Sequence, residues 1–261
     1  MFPIILPQLD PILISFGPIA IRWYSLAYIA GILFALFWLK KCNQKDNFLS
    51  PKAYEDWLTW AIISIMIGGR LGFVIFYNPQ YFIKFPLEIF AIWEGGMSFH
   101  GGLLGSIFGM WLFAKKYKVD FLKLTDCLSV AAPVGLFFGR LANFMNMELY
   151  GRVTGSSFGI IFPNGGDLPR HPSQIYEAVL EGIVIFVILL SLRKFSKNRG
   201  FLSGVFLTLY GSFRLLVENF RQPDEQIGLF FDKITMGQAL SLPLVFFGIA
   251  IVFLSLKKNN Y

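Results

Sequence analysis

The sequence predicts an all-α integral membrane protein with seven transmembrane helices, and three observations predict it. Apolar residues make up 55% of the 261-residue chain and charged residues only 15%, where a soluble domain carries about a quarter charged residues. Seven stretches approach the roughly 20 mostly apolar residues needed to cross the hydrocarbon. The basic residues fall unevenly between those stretches, which is how a membrane bundle records its orientation. The same composition excludes a disordered chain, a disulfide scaffold and a soluble nucleic-acid binder.

The apolar stretches are 19–39, 58–77, 97–114, 124–144, 175–192, 203–220 and 236–256. The first lacks the basic start and cleavage site of a secretory signal, so it is expected to be retained. Between the second and third, 82–93 (FIKFPLEIFAIW) is too short to span and reads as an interfacial or re-entrant helix, with Lys84 and Glu88 one turn apart. Loops on one side hold fourteen basic residues in four clusters: Lys40 to Lys52, Lys115 to Lys123, Arg193 to Arg199, and Lys257 with Lys258. The opposite side holds Lys84, Arg152, Arg170, Arg221 and Lys233. The positive-inside rule then puts the N-terminus outside and the C-terminus in the cytoplasm. One membrane domain over 1–261 is expected, with an outer-face loop or head at 145–174.

Four arginines remain inside the stretches: Arg22, Arg70, Arg140 and Arg214. Ionisable groups in hydrocarbon are costly, and function is the default reading for them. Arg70 and Arg214 lie about 9–11 Å below the outer ends of their helices at the helical rise. His100, Glu177, Glu181 and Glu218 also fall in outer halves, while Asp126 alone belongs to the inner side. An ion pathway would string polar groups through the full thickness. This pattern makes one polar chamber in the outer leaflet, suited to gripping a phosphate with bidentate guanidinium groups. The bland alternative is that the charges only pair with one another to hold helices together.

Three motifs carry candidate chemistry. WEGGMSFHGGLLG (93–105) places His100 at a loop-to-helix junction, where a neutral imidazole can act as general base or serve only structure. GRLANFMNMELYGR (139–152) sets Arg140 and Asn143 on one helix face and follows them with Asn146, Glu148 and Gly151. YGSFRLLVENFRQPD (210–224) sets Arg214 and Glu218 four residues apart with Arg221 near the same face. RHPSQIYEA (170–178) reads as a rigid turn opening the fifth helix. Glycines repeat at four-residue spacing, Gly68 and Gly72 in the second stretch and Gly101, Gly105 and Gly109 in the third, which lets helix backbones approach. Gly101 and Gly102 could instead offer backbone N–H groups to a ligand. Pro133 is expected to kink the fourth helix. Cys42 and Cys127 read as incidental thiols, and neither a metal nor a cofactor is expected.

With these residues in place, MSFHGGLLG, GRLANFMNMELYG, RHPSQIYE and FRLLVENFRQPD, together with IRWYSLAY, resemble the bacterial prolipoprotein diacylglyceryl transferases, in order from about Arg22 to Asp224. Ala142 and Met147 stand where that family has small residues, often glycine. The resemblance implies that phosphatidylglycerol donates its diacylglyceryl group to the thiol of a lipobox cysteine in a preprolipoprotein signal peptide, releasing glycerol phosphate. It implies a multi-pass enzyme of the bacterial inner membrane, in contact with membrane lipids, with its site in the outer half. Arg140 and Arg214 would bind the phosphate, His100 would accept the thiol proton, and Tyr24, Asn143, Glu148, Gly151 and Glu218 would position substrate or arginines. Asn146, Arg70 and Arg221 join the candidate substrate-binding set. The competing class is an anion or phospholipid transporter or flippase that uses the arginines as a binding site; no nucleic-acid partner is expected.

Overall fold

The computed structural model describes residues 4–16, 19–194, 198–222, 229–230 and 234–257, so Lys197, Lys233, Lys258 and Asp224 lie outside the described residues. Strand β1 (Ile4–Ile5) and a hairpin of β2 (Ile12–Phe16) with β3 (Ile19–Arg22) precede α1 (Trp23–Asp46). Arg22 is therefore not inside a helix; it is an exposed residue at the end of β3. Helix α2 (Pro51–Phe76) starts where its sequence says it should: the Ser50 side chain accepts from Ala53 N, and Pro51 occupies the first turn.

The short α3 (Pro79–Lys84) stops before Pro86, whose missing N–H and ring disfavour helix there. The chain continues in two 3-10 turns, Pro86–Phe90 and Ile92–Glu94. The single helix expected over 82–93 is thus broken, although Ile83, Leu87, Phe90 and Trp93 are all strongly exposed. Helices α4 (Phe99–Tyr117) and α5 (Phe121–Met145) follow, α5 with Pro133 inside it. Strand β4 (Ile160–Ile161) pairs in parallel with β1. Helix α6 (Ser173–Glu177) widens into a π-helical stretch over Ala178–Val184 before α7 (Ile185–Leu192). Helix α8 (Phe201–Val217), the strand pair β5 (Leu229–Phe230) and β6 (Ile234–Thr235), and α9 (Met236–Lys257) complete the chain.

Each of the seven apolar stretches is helical over most of its length. Among the described residues, five helical segments are long and apolar enough to cross a membrane: Trp23–Asp46, Pro51–Phe76, Phe121–Met145, Ser173–Leu192 and Gly237–Lys257. Phe201–Val217 is apolar but shorter. The chain is a mostly helical membrane protein.

Its contacts form two compact units, Lys40–Leu124 and Met1–Leu39 together with Thr125–Tyr261. In the first, α2 packs on α4 through glycine. A Cβ on Gly72 would lie 2.6 Å from Gly101 Cα, and one on Gly105 would lie 2.6 Å from Gly68 Cα. Apolar burial does not drive helices together in lipid, so backbone approach of this kind supplies the association. Gly101 is taken up by this packing, and its N–H donates to the Ser98 side chain at 3.2 Å.

In the second unit, α8 packs on α9 through Gly204, Gly211 and Gly248. A Cβ on Gly182 would lie 2.7 Å from Phe137 Cβ, so this glycine lets the π-helical stretch close on α5 one turn below Arg140. Asp126, the inner-side charge of α5, caps α8. Its carboxylate accepts from Gly200 N at 2.6 Å, Ser203 N at 2.8 Å and Ser203 Oγ at 2.7 Å, satisfying donors that a helix N-terminus leaves open. Cys42 and Cys127 are both buried and neither is a free thiol, which corrects their reading as incidental.

Candidate active site

Helix ends build the site. Arg140 and Asn143 sit in the last turns of α5, Tyr24 in the first turn of α1, Glu177 at the end of α6, Glu181 in the π-helical stretch, and Arg214 in the last turn of α8. Glu177 is the hub. Its Oε2 lies 2.9 Å from Arg140 Nε, while its Oε1 pairs with Arg214 Nη1 and lies 3.3 Å from Arg221 Nη1. Glu181 reaches Arg140 Nη2 at 3.5 Å and Arg214 Nη1 at 3.9 Å, and Glu218 pairs with Arg214 Nη2 at 3.3 Å.

Three arginines thus meet three carboxylates. Glu177 and Glu181 are fully buried, whereas the Arg140 and Arg214 side chains keep 16% and 14% of their surface exposed. Ion pairs withdrawn from water seldom repay their desolvation as stability. A balanced cluster with its two central arginines left partly open is therefore better explained by ligand binding than by stability alone. Arg140 engages Glu177, Glu181 and Asn143, which leaves part of its five-donor fork for a ligand.

The helical geometry explains why these groups converge. Glu177 and Glu181 are four residues apart and share a helix face by that spacing. The helix around Glu181 is bonded from residue i to i+5, a local departure often found at functional sites. Gly237, in the first turn of α9, lies against the Glu218 carboxylate: a Cβ there would sit 2.6 Å from Oε2. Only glycine lets that backbone approach so closely, and the helix N-terminus it brings is favourable for a carboxylate.

A second network adjoins Arg140. Asn143 Oδ1 accepts from Arg140 Nη1 at 3.5 Å, and Asn143 Nδ2 donates to Glu148 Oε1 at 2.9 Å and to the Tyr24 hydroxyl. The Tyr24 hydroxyl donates in turn to Glu148 Oε1. Gln174 Nε2 donates to the Glu148 carbonyl at 2.7 Å and Ser173 Oγ to the Leu149 carbonyl at 3.0 Å. The turn that carries Glu148 back is left-handed at Met147 (φ 54°) and Leu149 (φ 57°). That conformation gives a physical reason for glycine at position 147, and Met147 adopts it at a cost of about 1 kcal/mol.

Gly151 works through its backbone, which forms an antiparallel bridge with Arg221. It lies between two backbones, where a Cβ would be 2.5 Å from the Phe220 carbonyl and 2.6 Å from that of His171, and its N–H donates to His171 O at 2.8 Å. Asn146 sits at the turn with its Oδ1 buried and without a hydrogen-bond partner among the described residues. Arg170 staples the head segment, donating from Nε to Gly165 O at 2.8 Å and from Nη1 to the Gln222 side chain, with its guanidinium over Tyr150.

Two candidates belong to the other unit. Arg70 is buried and spends its donors on backbone: Nε on Ile89 O at 2.9 Å, Nη1 on Gly95 O at 2.6 Å, Nη2 on Glu88 O at 2.5 Å. Its evident work is to hold the 88–96 turns. His100 is the second residue of α4, and its side chain lies outside the described residues. The structure therefore gathers Tyr24, Arg140, Asn143, Glu148, Arg214, Glu218 and Arg221 in one unit. It adds Glu177 and Glu181, which the sequence places in the outer-half polar chamber without singling them out as site residues. The signal was present, since two carboxylates four residues apart in an apolar helix are rare.

A family model described as prolipoprotein diacylglyceryl transferase matches residues 11–254. Proteins named phosphatidylglycerol--prolipoprotein diacylglyceryl transferase are similar throughout. The one from Rickettsia conorii is 52% identical over 93% of this chain and 95% of its own length. The one from Rickettsia canadensis is 50% identical over 97% of this chain and all of its own. The matched region contains the helix ends that assemble the arginine–glutamate cluster, and the chain belongs to the prolipoprotein diacylglyceryl transferase family.

Proposed function

We propose that this chain is a membrane-embedded transferase that moves the diacylglyceryl group of phosphatidylglycerol to the thiol of a lipobox cysteine in a preprolipoprotein, the opening step of lipoprotein maturation. The observation that carries the reading is the pair Arg140 and Arg214, held by one buried carboxylate and each partly open. Two forks at that spacing suit a phosphate, which is the leaving group of this reaction. The thiol gives its proton to a base, for which His100 is the candidate. The sulfur attacks the glyceryl carbon bonded to the phosphate oxygen; an S–C bond forms, the C–O bond breaks, and its electron pair leaves with glycerol phosphate. Arg140 and Arg214 stabilise the charge that develops there.

Asn143, Tyr24 and Glu148 orient Arg140 in this reading, Glu218 orients Arg214, and Arg221 helps hold the Glu177 carboxylate that both arginines share. Asn146 offers its buried oxygen to substrate, Gly151 holds the turn that follows Glu148, Arg70 holds the turns of its own unit, and no metal or cofactor takes part. The helices cross the bacterial inner membrane seven times with the N-terminus outside. That places the site in the outer half, at the depth of a lipid headgroup and where a translocated signal peptide emerges. The test is direct. Purified protein in bilayers, given phosphatidylglycerol and a lipobox peptide, should release glycerol phosphate and yield a thioether-linked peptide. Arg140→Ala should reduce the rate by a hundredfold or more while the protein still inserts, on the order of the loss for a transition-state donor. Absence of transfer by the wild type would remove the enzyme reading.

A further inference from the structure

The carboxylates that neutralise the arginines are not all held alike. Glu177 grips Arg140 at 2.9 Å and also pairs with Arg214 and Arg221. Glu181 is equally buried, yet its contacts are long: Oε2 lies 3.5 Å from Arg140 Nη2, Oε1 lies 3.9 Å from Arg214 Nη1, and Oε1 accepts no hydrogen bond among the described residues. Full charge-assisted bonds of this type close to about 2.7–2.9 Å. Glu181 therefore turns one oxygen toward each of the two partly open guanidinium groups, as a bound phosphate would, but holds both loosely.

We propose that Glu181 is the resident anion of the site, yielding Arg140 and Arg214 to the phosphate of the incoming lipid and reclaiming them as the product leaves. This rests on the transferase reading. The need for such a group comes from the charge of the two ligands. A phosphodiester carries one negative charge, whereas the phosphomonoester released carries about 1.5 to 2 at neutral pH. Two arginines alone would hold the product more tightly than the substrate, and turnover would stall with the product in place. A carboxylate already facing both arginines weakens each ligand's hold by the same factor, and this brings the more strongly charged product into a range where it dissociates. Glu177, whose contacts are short, keeps the arginines in position throughout.

Glu181→Gln tests this, because it keeps the shape of the side chain and removes its charge. Added glycerol phosphate should inhibit transfer by this variant at about tenfold lower concentration than by the wild type, the effect of one charge-assisted contact. The first turnover should stay fast and later ones slow, giving a burst that the wild type lacks. Glu181→Asp, which draws the charge back by one methylene, should be inhibited at concentrations between the two. Inhibition of Glu181→Gln at wild-type concentrations, without a burst, overturns the proposal. Should that variant fail to accumulate, Glu181→Asp decides, and wild-type inhibition by glycerol phosphate overturns it. A wild type that transfers nothing sinks the transferase reading instead, and the same assay shows it.

Discussion

Arginine suits positions 140 and 214 better than lysine would, because each side chain serves several partners at once. Arg214 meets Glu177, Glu181 and Glu218 from two nitrogens. A lysine there keeps the charge but offers one compact point instead of a planar fork. Arg214→Lys should therefore lose transfer by about a hundredfold, close to the loss for an oxyanion donor, while retaining insertion and helix content; activity within a few fold of wild type would remove the bidentate role. Much of this residue pattern was legible in the sequence. Arg140 with Asn143 and Arg214 with Glu218 are neighbours by helical spacing alone. The centrality of Glu177 was not legible, because its partners lie on other helices, and spacing along one helix says nothing about contacts between helices.

At the scale of elements, the ends and irregularities of helices matter more than their lengths. Asp126 shows this well. In the sequence it is an isolated inner-side carboxylate; folded, it caps α8 from 77 residues away. Asp126→Ala opens those donors and should cost about 2 kcal/mol, read as a fall of several degrees in the Tm of the detergent-solubilised protein, with Asp126→Asn intermediate. An unchanged Tm would show that the cap contributes nothing. The π-helical widening after Glu177 is the element that sequence pattern least foretells, because an apolar span has the same composition whichever way its backbone bonds run. The break at Pro86 is the opposite case: proline chemistry announced it, and apolarity obscured it.

For the whole molecule, each of the seven apolar stretches is helical over most of its length, and composition alone identified the class. Among the described residues, five of the helical segments are long and apolar enough to cross a membrane. The boundaries moved where local chemistry intervened, as at Ser50 and Pro51, which start α2 seven residues before its apolar stretch. The orientation proposed from basic residues makes a clear prediction. Ser157 and Lys118 are both exposed, the first in the head segment and the second after α4. In right-side-out vesicles an impermeant thiol reagent should label Ser157→Cys and spare Lys118→Cys, and inverted vesicles should reverse the pattern. Since neither native cysteine is a free thiol, background labelling should be low. Labelling of Lys118→Cys from the outside would invert the topology.

The arginine–glutamate cluster also bears on how the chain is made. Arg140 is synthesised 37 residues before Glu177 and 41 before Glu181. A nascent chain that has delivered α5 into the bilayer holds a guanidinium whose counter-charges are still on the ribosome, a state costing several kcal/mol. Membrane insertion of α5 and of the helix that begins at Ser173 is thereby expected to be coupled. A chain cut short between them carries an exposed, unbalanced charge at membrane depth, by which cellular quality control can tell it from the finished protein.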